Sequence, residues 1–168
     1  RTIQSWAQKG IKSTFVDKGG HTWSLERYVR TVLKSTLGNT YDKLRKDRMS
    51  EYDVHTVLVT SHMGARKACS KIQGHVADLR ESVSSNEKYK SIYDPYWGAE
   101  YGTAGGHRGI NCNHLHIPFI PGINTNNQPK IDAKENEKVA ELTKRQRQLE
   151  RQVVKFKKNR SEERRVGK

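Results

Sequence analysis

Two cysteines and three histidines are the side chains in this sequence that could bind a metal ion together. They are His62, Cys69, Cys112, His114 and His116. Thiolate sulfur and imidazole nitrogen suit Zn²⁺, and Cys112 and His114 stand two positions apart. A closed site needs four ligands, so Cys69 and His62 would complete it. The chain has no CxxC or HxxxH spacing. We therefore predict no metal or other cofactor and favour a buried cysteine pair with hydrogen-bonded histidines. The alternatives are a zinc site and a Cys69–Cys112 disulfide.

An enzyme would need acid, base and nucleophilic groups within hydrogen-bond reach of one another. The residues that could supply them are His62, Arg66, His75, Cys112 and His114. The sequence has no nucleophile elbow and no HExxH motif, and its glycine-rich stretch 101–106 is not followed by GKS or GKT. We therefore predict no catalytic residues. For Arg66 we predict a structural role, bridging backbone carbonyls of a neighbouring loop or holding the Asp78 carboxylate.

Two stretches must position these side chains. Residues 57–74 read as the end of a buried strand, a turn and a short helix that Gly74 ends, followed by an extended run over residues 75–79. Residues 109–122 are too short to bury their own apolar side chains, so we predict that the two stretches pack together and bring Cys69 close to Cys112. The predicted core residues are Val57, Leu58, Val59, Ile72, Ile110, Ile117, Phe119 and Ile120.

Upstream, residues 1–9 resemble the end of a helix. Residues 11–15 and the stretch from Trp23 onward read as the strands of a hairpin around Gly19-Gly20. Ser24 is a plausible N-cap for a helix that we expect to reach about Arg48. Its apolar residues recur at spacings of three and four, which predicts one buried stripe. The stripe comprises Leu25, Tyr28, Val29, Val32, Leu33, Leu37, Tyr41 and Leu44. Residues 89–109 are rich in glycine and aromatic residues, which predicts an irregular lid of packed rings.

Downstream, a polar linker over residues 124–131 leads to a charged helix predicted over 132–159. That helix has a thin apolar stripe, suited either to docking on another chain or to an exposed amphipathic arm. The stripe is Val139, Leu142, Leu149, Val153 and Phe156. The last nine residues, RSEERRVGK, read as the translation of a common sequencing adapter, so we expect residues 160–168 to be non-native.

The charge of the chain is strongly positive. Its net charge is +14, divided between residues 1–129, with 18 basic and 11 acidic side chains, and residues 130–168, with 14 and 7. Such a surface attracts double-stranded DNA or other polyanions without regard to base sequence. No apolar run approaches transmembrane length, so we predict no membrane partner. Two cysteines provide no disulfide framework, which favours a reducing compartment.

Two motifs resemble those of a known family. HMGARKACSKIQG resembles the GARP-x-H-x-x-W-Q-G signature of the phage minor capsid protein 2 family, and YGTAGGHRGINCNHLHIPFIPGI resembles its second signature. The matching positions are Gly64, Ala65, Arg66, Gln73, Gly74, Asn111, Cys112, His114, Pro118, Phe119, Pro121 and Gly122. The sequence departs from the pattern at Lys67, Cys69, Ile72 and Asn113, as expected of a diverged member or a fragment of one.

The resemblance implies a small α+β domain over residues 10–123, with short strands packed on a long helix and a charged helical arm after it. It also implies a structural, non-enzymatic head-morphogenesis protein of a tailed phage, made in the host bacterial cytoplasm and located in the virion near the portal. The partners implied are other head and portal proteins, and non-specifically bound DNA. A small nuclease or toxin-like effector domain carried in the head is the alternative function.

Overall fold

The computed structural model describes residues 14–83 and 88–166, so the predicted helix end at residues 1–9 lies outside the described residues. The strands are β1 (Thr14–Val16), β2 (Thr22–Ser24), β3 (Thr56–Val59), β4 (Val76–Asp78) and β5 (His116–Pro118). The helices are α1 (Leu25–Glu51), α2 (Lys67–Ser70) and α3 (Ala133–Val166), with a 3₁₀ turn at Pro95–Trp97. The predicted α+β class is confirmed.

Strand β3 is the centre of a three-stranded antiparallel sheet in the order β4-β3-β5. Val57 pairs with Ala77 on one side and with Pro118 on the other. The predicted packing of residues 57–74 against 109–122 is therefore confirmed, and Phe119 is buried beside the sheet. The core cluster comprises Val59, Ile72, Ala77, Ile92, Trp97 and Ala99.

Three of the predicted core residues are instead exposed: Ile110, Ile117 and Ile120. β5 is an edge strand of only three residues. Because successive side chains of a strand alternate between its two faces, burying His116 leaves Ile117 outside. The core was therefore predicted wrongly at these three positions, and in β5 the buried side chain is His116 instead of Ile117.

The N-terminal hairpin and the start of α1 follow the local signals. Strands β1 and β2 pair antiparallel. Asp17 accepts hydrogen bonds from the backbone N–H groups of Gly19 and His21 and from Nε1 of Trp23. Ser24 is the N-cap of α1, and its hydroxyl accepts from the Arg27 N–H at 3.3 Å.

The predicted buried stripe of α1 is wrong. Only Asp42 and Met49 of this 27-residue helix are buried, whereas Leu33, Leu37 and Tyr41 are each more than half exposed. At 3.6 residues per turn, the buried positions lie on the opposite side of the helix from these apolar ones. The helix therefore turns its polar side to the domain and its apolar side outward.

Residues 89–109 are irregular apart from the 3₁₀ turn, as predicted. Trp97 is buried and donates from Nε1 to the Ser91 carbonyl at 2.9 Å. Two glycines allow the backbone to approach itself closely. A Cβ at Gly106 would lie 1.9 Å from a backbone oxygen, and one at Gly109 would lie 2.0 Å from another. The loop can adopt this path only with glycine at these positions.

The linker and the start of α3 lie against the domain. Gln128 Oε1 accepts from the Ser61 N–H at 2.8 Å. The buried side-chain amide of Asn136 accepts from the Ala65 N–H at 3.0 Å and donates to the Ala65 carbonyl at 2.9 Å. From residue 144 to residue 157, every side chain of α3 is exposed. The helix is therefore docked by its first turns, and its charged remainder is uncovered within this chain.

Candidate metal centre

Four side chains come together where α2, the glycine-rich loop and the residues before β5 meet. They are Cys69, His107, Cys112 and His114, and one ligand atom from each lies within 4.8 Å of the ligand atoms of the others. The Cys69 and Cys112 sulfurs are 3.9 Å apart, and Cys112 Sγ lies 3.4 Å from His114 Nδ1. The predicted proximity of the two cysteines is confirmed, and both are free thiols.

Arg66 holds the loop that carries two of these residues. Its guanidinium donates to the Gly105 carbonyl at 3.1 Å and to the Ile110 carbonyl at 2.7 Å. The predicted bridging of backbone carbonyls is confirmed. The Asp78 carboxylate, the other predicted partner, is instead bound by Arg80 at 2.7 and 3.0 Å.

A buried polar chain connects α1 to His107. Asp42 Oδ1 lies 3.3 Å from His116 Nδ1, and His116 Nε2 lies 2.9 Å from His107 Nε2. The contact between Asp42 and His116 is close but not aligned as a hydrogen bond. Lys46 and Arg108 also contact the Asp42 carboxylate, at 3.2 and 3.5 Å.

Burial and charge set the protonation of this chain. Burial alone would raise the pKa of Asp42, but His116, Lys46 and Arg108 hold it well below the ordinary value. Burial lowers the pKa of His116 to about 4, with Asp42 opposing the shift, and burial also lowers the pKa of His107. Both imidazoles are therefore neutral near pH 7, the form in which histidine can bind a metal.

The other histidine of the group is held by Gln73. His114 Nε2 lies 3.2 Å from Gln73 Oε1, which also accepts from the His62 N–H at 3.2 Å. The His62 ring stacks on His114 with centroids 4.2 Å apart. Gln73 and His114 are both buried, so the amide oxygen fixes the orientation of the imidazole.

The two thiols share a hydrogen bond. Donation from Cys69 to Cys112 raises the pKa of Cys69, an effect that burial reinforces. The same bond lowers the pKa of Cys112. Within this pair, Cys112 therefore loses its proton more readily than Cys69.

The sequence prediction and the structure share three of the four donors. Cys69, Cys112 and His114 belong to the predicted zinc set, whereas His107 stands in the group where His62 was expected. His62 contacts His114 by ring stacking and lies outside the donor group. The signal for His107 is the spacing H-x4-C-x-H over residues 107–114, which sequence reasoning missed because His107 lies among glycines.

The residues of the catalytic alternative do not form an open site. The Arg66 guanidinium is occupied by two carbonyls. His75 contacts the Gln73 carbonyl and the Trp97 ring. Of the remaining residues of that set, His62 and His114 are stacked on each other.

The other positions of the two signature motifs have roles in backbone conformation. Gly64, Gly74, Asn111 and Gly122 all have positive φ, between 59° and 83°. At Gly74 a Cβ would lie 2.7 Å from the Ser61 hydroxyl. Beyond strand β5, which ends at Pro118, the Phe119 N–H donates to the Thr56 carbonyl at 2.9 Å, and the turn that contains Pro121 follows. These residues therefore shape the backbone of the two signature segments.

The chain matches the phage minor capsid protein 2 family over residues 1–168. It belongs to that family. It is 40% identical over 167 residues to a structural protein of Lactococcus phage LL-H, covering 98% of this chain and 44% of that protein. A structural protein of Lactococcus phage mv4 is 40% identical over 82 residues, covering 49% of this chain and 63% of that protein. The chain thus spans less than two thirds of either relative. No solved structure matches it.

The family is one of phage minor capsid proteins, and both relatives are named structural proteins of phages. Across residues 14–83 and 88–166, no helix is long and apolar enough to span a membrane.

Proposed function

We propose that this chain is a minor head protein of a tailed phage that sits near the portal and binds other head and portal proteins through the apolar side of α1. The carrying observation is the orientation of that helix. Four apolar side chains on one side of α1 are each at least 59% exposed. They are Leu33, Leu37, Tyr41 and Leu44, which we call the α1 apolar face.

The opposite side of α1 is already occupied. Asp42 contacts His116 and Arg108, and Arg45 donates to the His116 carbonyl at 2.6 Å. Rotating the helix to bury the α1 apolar face would therefore strip a buried carboxylate of its partners, which is strongly unfavourable. The helix cannot cover its own leucines, and a contiguous exposed apolar surface of this kind is typical of an interface.

Membership of a phage minor capsid family supports another protein of the phage head as the partner. Helix α3 adds a second surface, because Leu149, Val153 and Phe156 are each at least half exposed beyond its docked turns. The same part of α3 carries several exposed basic side chains, which suit non-specific contact with packaged DNA. They are Lys144, Arg145, Arg147, Arg151, Lys155 and Lys157.

The test is incorporation of a variant into virions. Leu37→Glu combined with Leu44→Glu places two charges on the α1 apolar face, with Thr36→Glu as a control at an exposed position elsewhere on the same helix. We expect the double variant to fold normally, because both leucines are exposed, and to be absent or strongly depleted from purified particles. Normal incorporation of the double variant would refute the proposed interface.

Two further measurements address position and DNA. A cryo-EM map of the virion should show this chain at the portal vertex, and density spread over the whole shell would contradict the portal proposal. Affinity for unrelated DNA duplexes should fall steeply with salt and should not depend on base sequence. An absence of binding at low salt, or a strong preference for one sequence, would exclude the DNA contact.

A further inference from the structure

We propose that Cys69, His107, Cys112 and His114 bind one structural Zn²⁺ ion. The four donors are supplied by α2, the glycine-rich loop and the residues before β5. A zinc ion there would join the two signature segments of the chain to each other. This goes beyond the proposed function, because it does not depend on which protein or nucleic acid the chain contacts in the head.

Two measured separations are close to the edges of a tetrahedral zinc site, and all four donor atoms lie within 4.8 Å of one another. With bonds of about 2.3 Å to sulfur and about 2.0–2.1 Å to nitrogen, a tetrahedron has edges of about 3.8 Å between two sulfurs and about 3.6 Å between sulfur and nitrogen. The Cys69–Cys112 separation is 3.9 Å, and the separation from Cys112 Sγ to His114 Nδ1 is 3.4 Å. A disulfide requires about 2.05 Å between the sulfurs, far shorter than the observed distance.

Hydrogen bonding leaves a lone pair on each imidazole for the ion. Gln73 Oε1 can only accept, so the His114 proton belongs on Nε2 and the lone pair on Nδ1, the atom beside Cys112. A proton on His116 Nδ1, facing Asp42, makes His116 Nε2 an acceptor for His107 Nε2–H. His107 Nδ1 then carries a lone pair, and it is buried with no hydrogen-bond partner.

That unpartnered nitrogen is the observation that a metal explains best. Leaving a buried polar atom unsatisfied is unfavourable, and native proteins rarely do so without a ligand, a water or a functional reason. In zinc sites the second ring nitrogen of a ligating histidine is usually hydrogen-bonded to a carbonyl or carboxylate oxygen. Here His114 contacts the Gln73 amide oxygen, and His107 is connected through His116 to the Asp42 carboxylate.

The donor set specifies both the metal and its role. Two thiolates and two imidazoles in a tetrahedron are typical of Zn²⁺. Four protein ligands fill the coordination sphere, so no position remains for a substrate. The site would therefore be structural, in keeping with a non-enzymatic virion protein. Binding releases the thiol protons that remain on Cys69 and Cys112 to solvent, and no electron transfer is involved.

The direct test is the metal content of the full chain purified under reducing conditions without chelator. Elemental analysis should find one zinc per chain. Replacement by Co²⁺ should give the thiolate-to-metal charge-transfer and strong ligand-field absorption of a tetrahedral site. Zinc-free protein with reduced thiols that takes up neither ion would overturn the proposal, as would an intact Cys69–Cys112 disulfide in protein from virions.

A matched pair of histidine variants tests the ligand set. His107→Gln should abolish stoichiometric zinc binding, whereas His62→Gln should retain it, because His62 stacks on His114 without belonging to the donor group. The reverse outcome would overturn the assignment of His107. Gln73→Leu should retain the ligands but weaken zinc affinity roughly 10- to 100-fold through loss of the outer contact.

Failure of a variant to fold would not remove the test, because the wild-type chain gives a second measurement. Removing zinc from it with a chelator should lower its melting temperature and expose both thiols to a cysteine reagent, and adding Zn²⁺ should reverse both changes. Identical melting temperatures and thiol reactivities with and without metal would refute a structural zinc site.

Discussion

Asn136 is the residue through which α3 is anchored to the domain, and Asn136→Ala tests that anchor. The side chain makes two hydrogen bonds to Ala65, at 3.0 and 2.9 Å, and the two residues are 3% and 2% exposed. Removing the amide leaves a buried backbone N–H and a buried C=O without partners, at about 1–3 kcal/mol each. The vacated space admits water to one of them, so we expect a total loss of about 2–4 kcal/mol in the free energy of unfolding.

The measurement is urea denaturation followed by the fluorescence of the buried Trp97, together with hydrogen exchange at the Ala65 amide. That amide should be protected in the wild-type chain and exchange much faster in the variant. Gln146→Ala is the matched control, because this residue is exposed on the undocked part of α3 and its side chain donates to Glu150 on the same helix. We expect a change within about 0.5 kcal/mol. A loss below about 1 kcal/mol with unchanged exchange at Ala65 would refute the anchoring role.

Three further substitutions have expected outcomes. Phe119→Ala should lower the free energy of unfolding by about 3–5 kcal/mol, because the ring is buried, whereas Ile117→Ala on the neighbouring edge strand should cost clearly less, because that side chain is 40% exposed. Asp78→Asn should flatten the acid limb of the stability curve. Burial would raise the pKa of Asp78, but Arg80 holds it below the ordinary value. The ionised Asp78 carboxylate therefore contributes its full stabilisation above the unfolded pKa of about 3.9, and this stabilisation is lost as the pH falls through the lower folded pKa. Gly106→Ala should cost about 3 kcal/mol or more, because its Cβ would lie 1.9 Å from a backbone oxygen, while Gly105→Ala meets nothing within 4 Å and should be nearly neutral.

Each outcome has a direct readout in chemical denaturation. Equal costs for Phe119→Ala and Ile117→Ala would mean that β5 is covered by something outside this chain. An unchanged acid limb in Asp78→Asn would place the acid-sensitive carboxylate elsewhere. A neutral Gly106→Ala would mean that the loop follows a different path from the one described.

Local chemistry was sufficient to predict much of the fold from the sequence. The Gly19-Gly20 turn gave the hairpin, and Ser24 gave the start of α1, because turn geometry and capping depend on a few adjacent residues. The pairing of residues 57–74 with 109–122 also followed from sequence, since neither segment could bury its apolar residues alone. The proximity of Cys69 to Cys112 came with that pairing.

The tertiary structure alone decided which side of α1 faces inward and which histidine joins the cysteines. The periodicity of α1 identified its apolar side. Whether that side faces the domain or the solvent depends on the contacts of Asp42 with His116 and Arg108, which are far away in the chain. His107 displaces His62 from the donor group because two glycines allow the loop to fold back on itself, a path that no local propensity encodes. The hydrophobic pattern of a helix specifies which of its sides is apolar and which is polar. The partners available to its polar side chains determine which of those surfaces the domain buries.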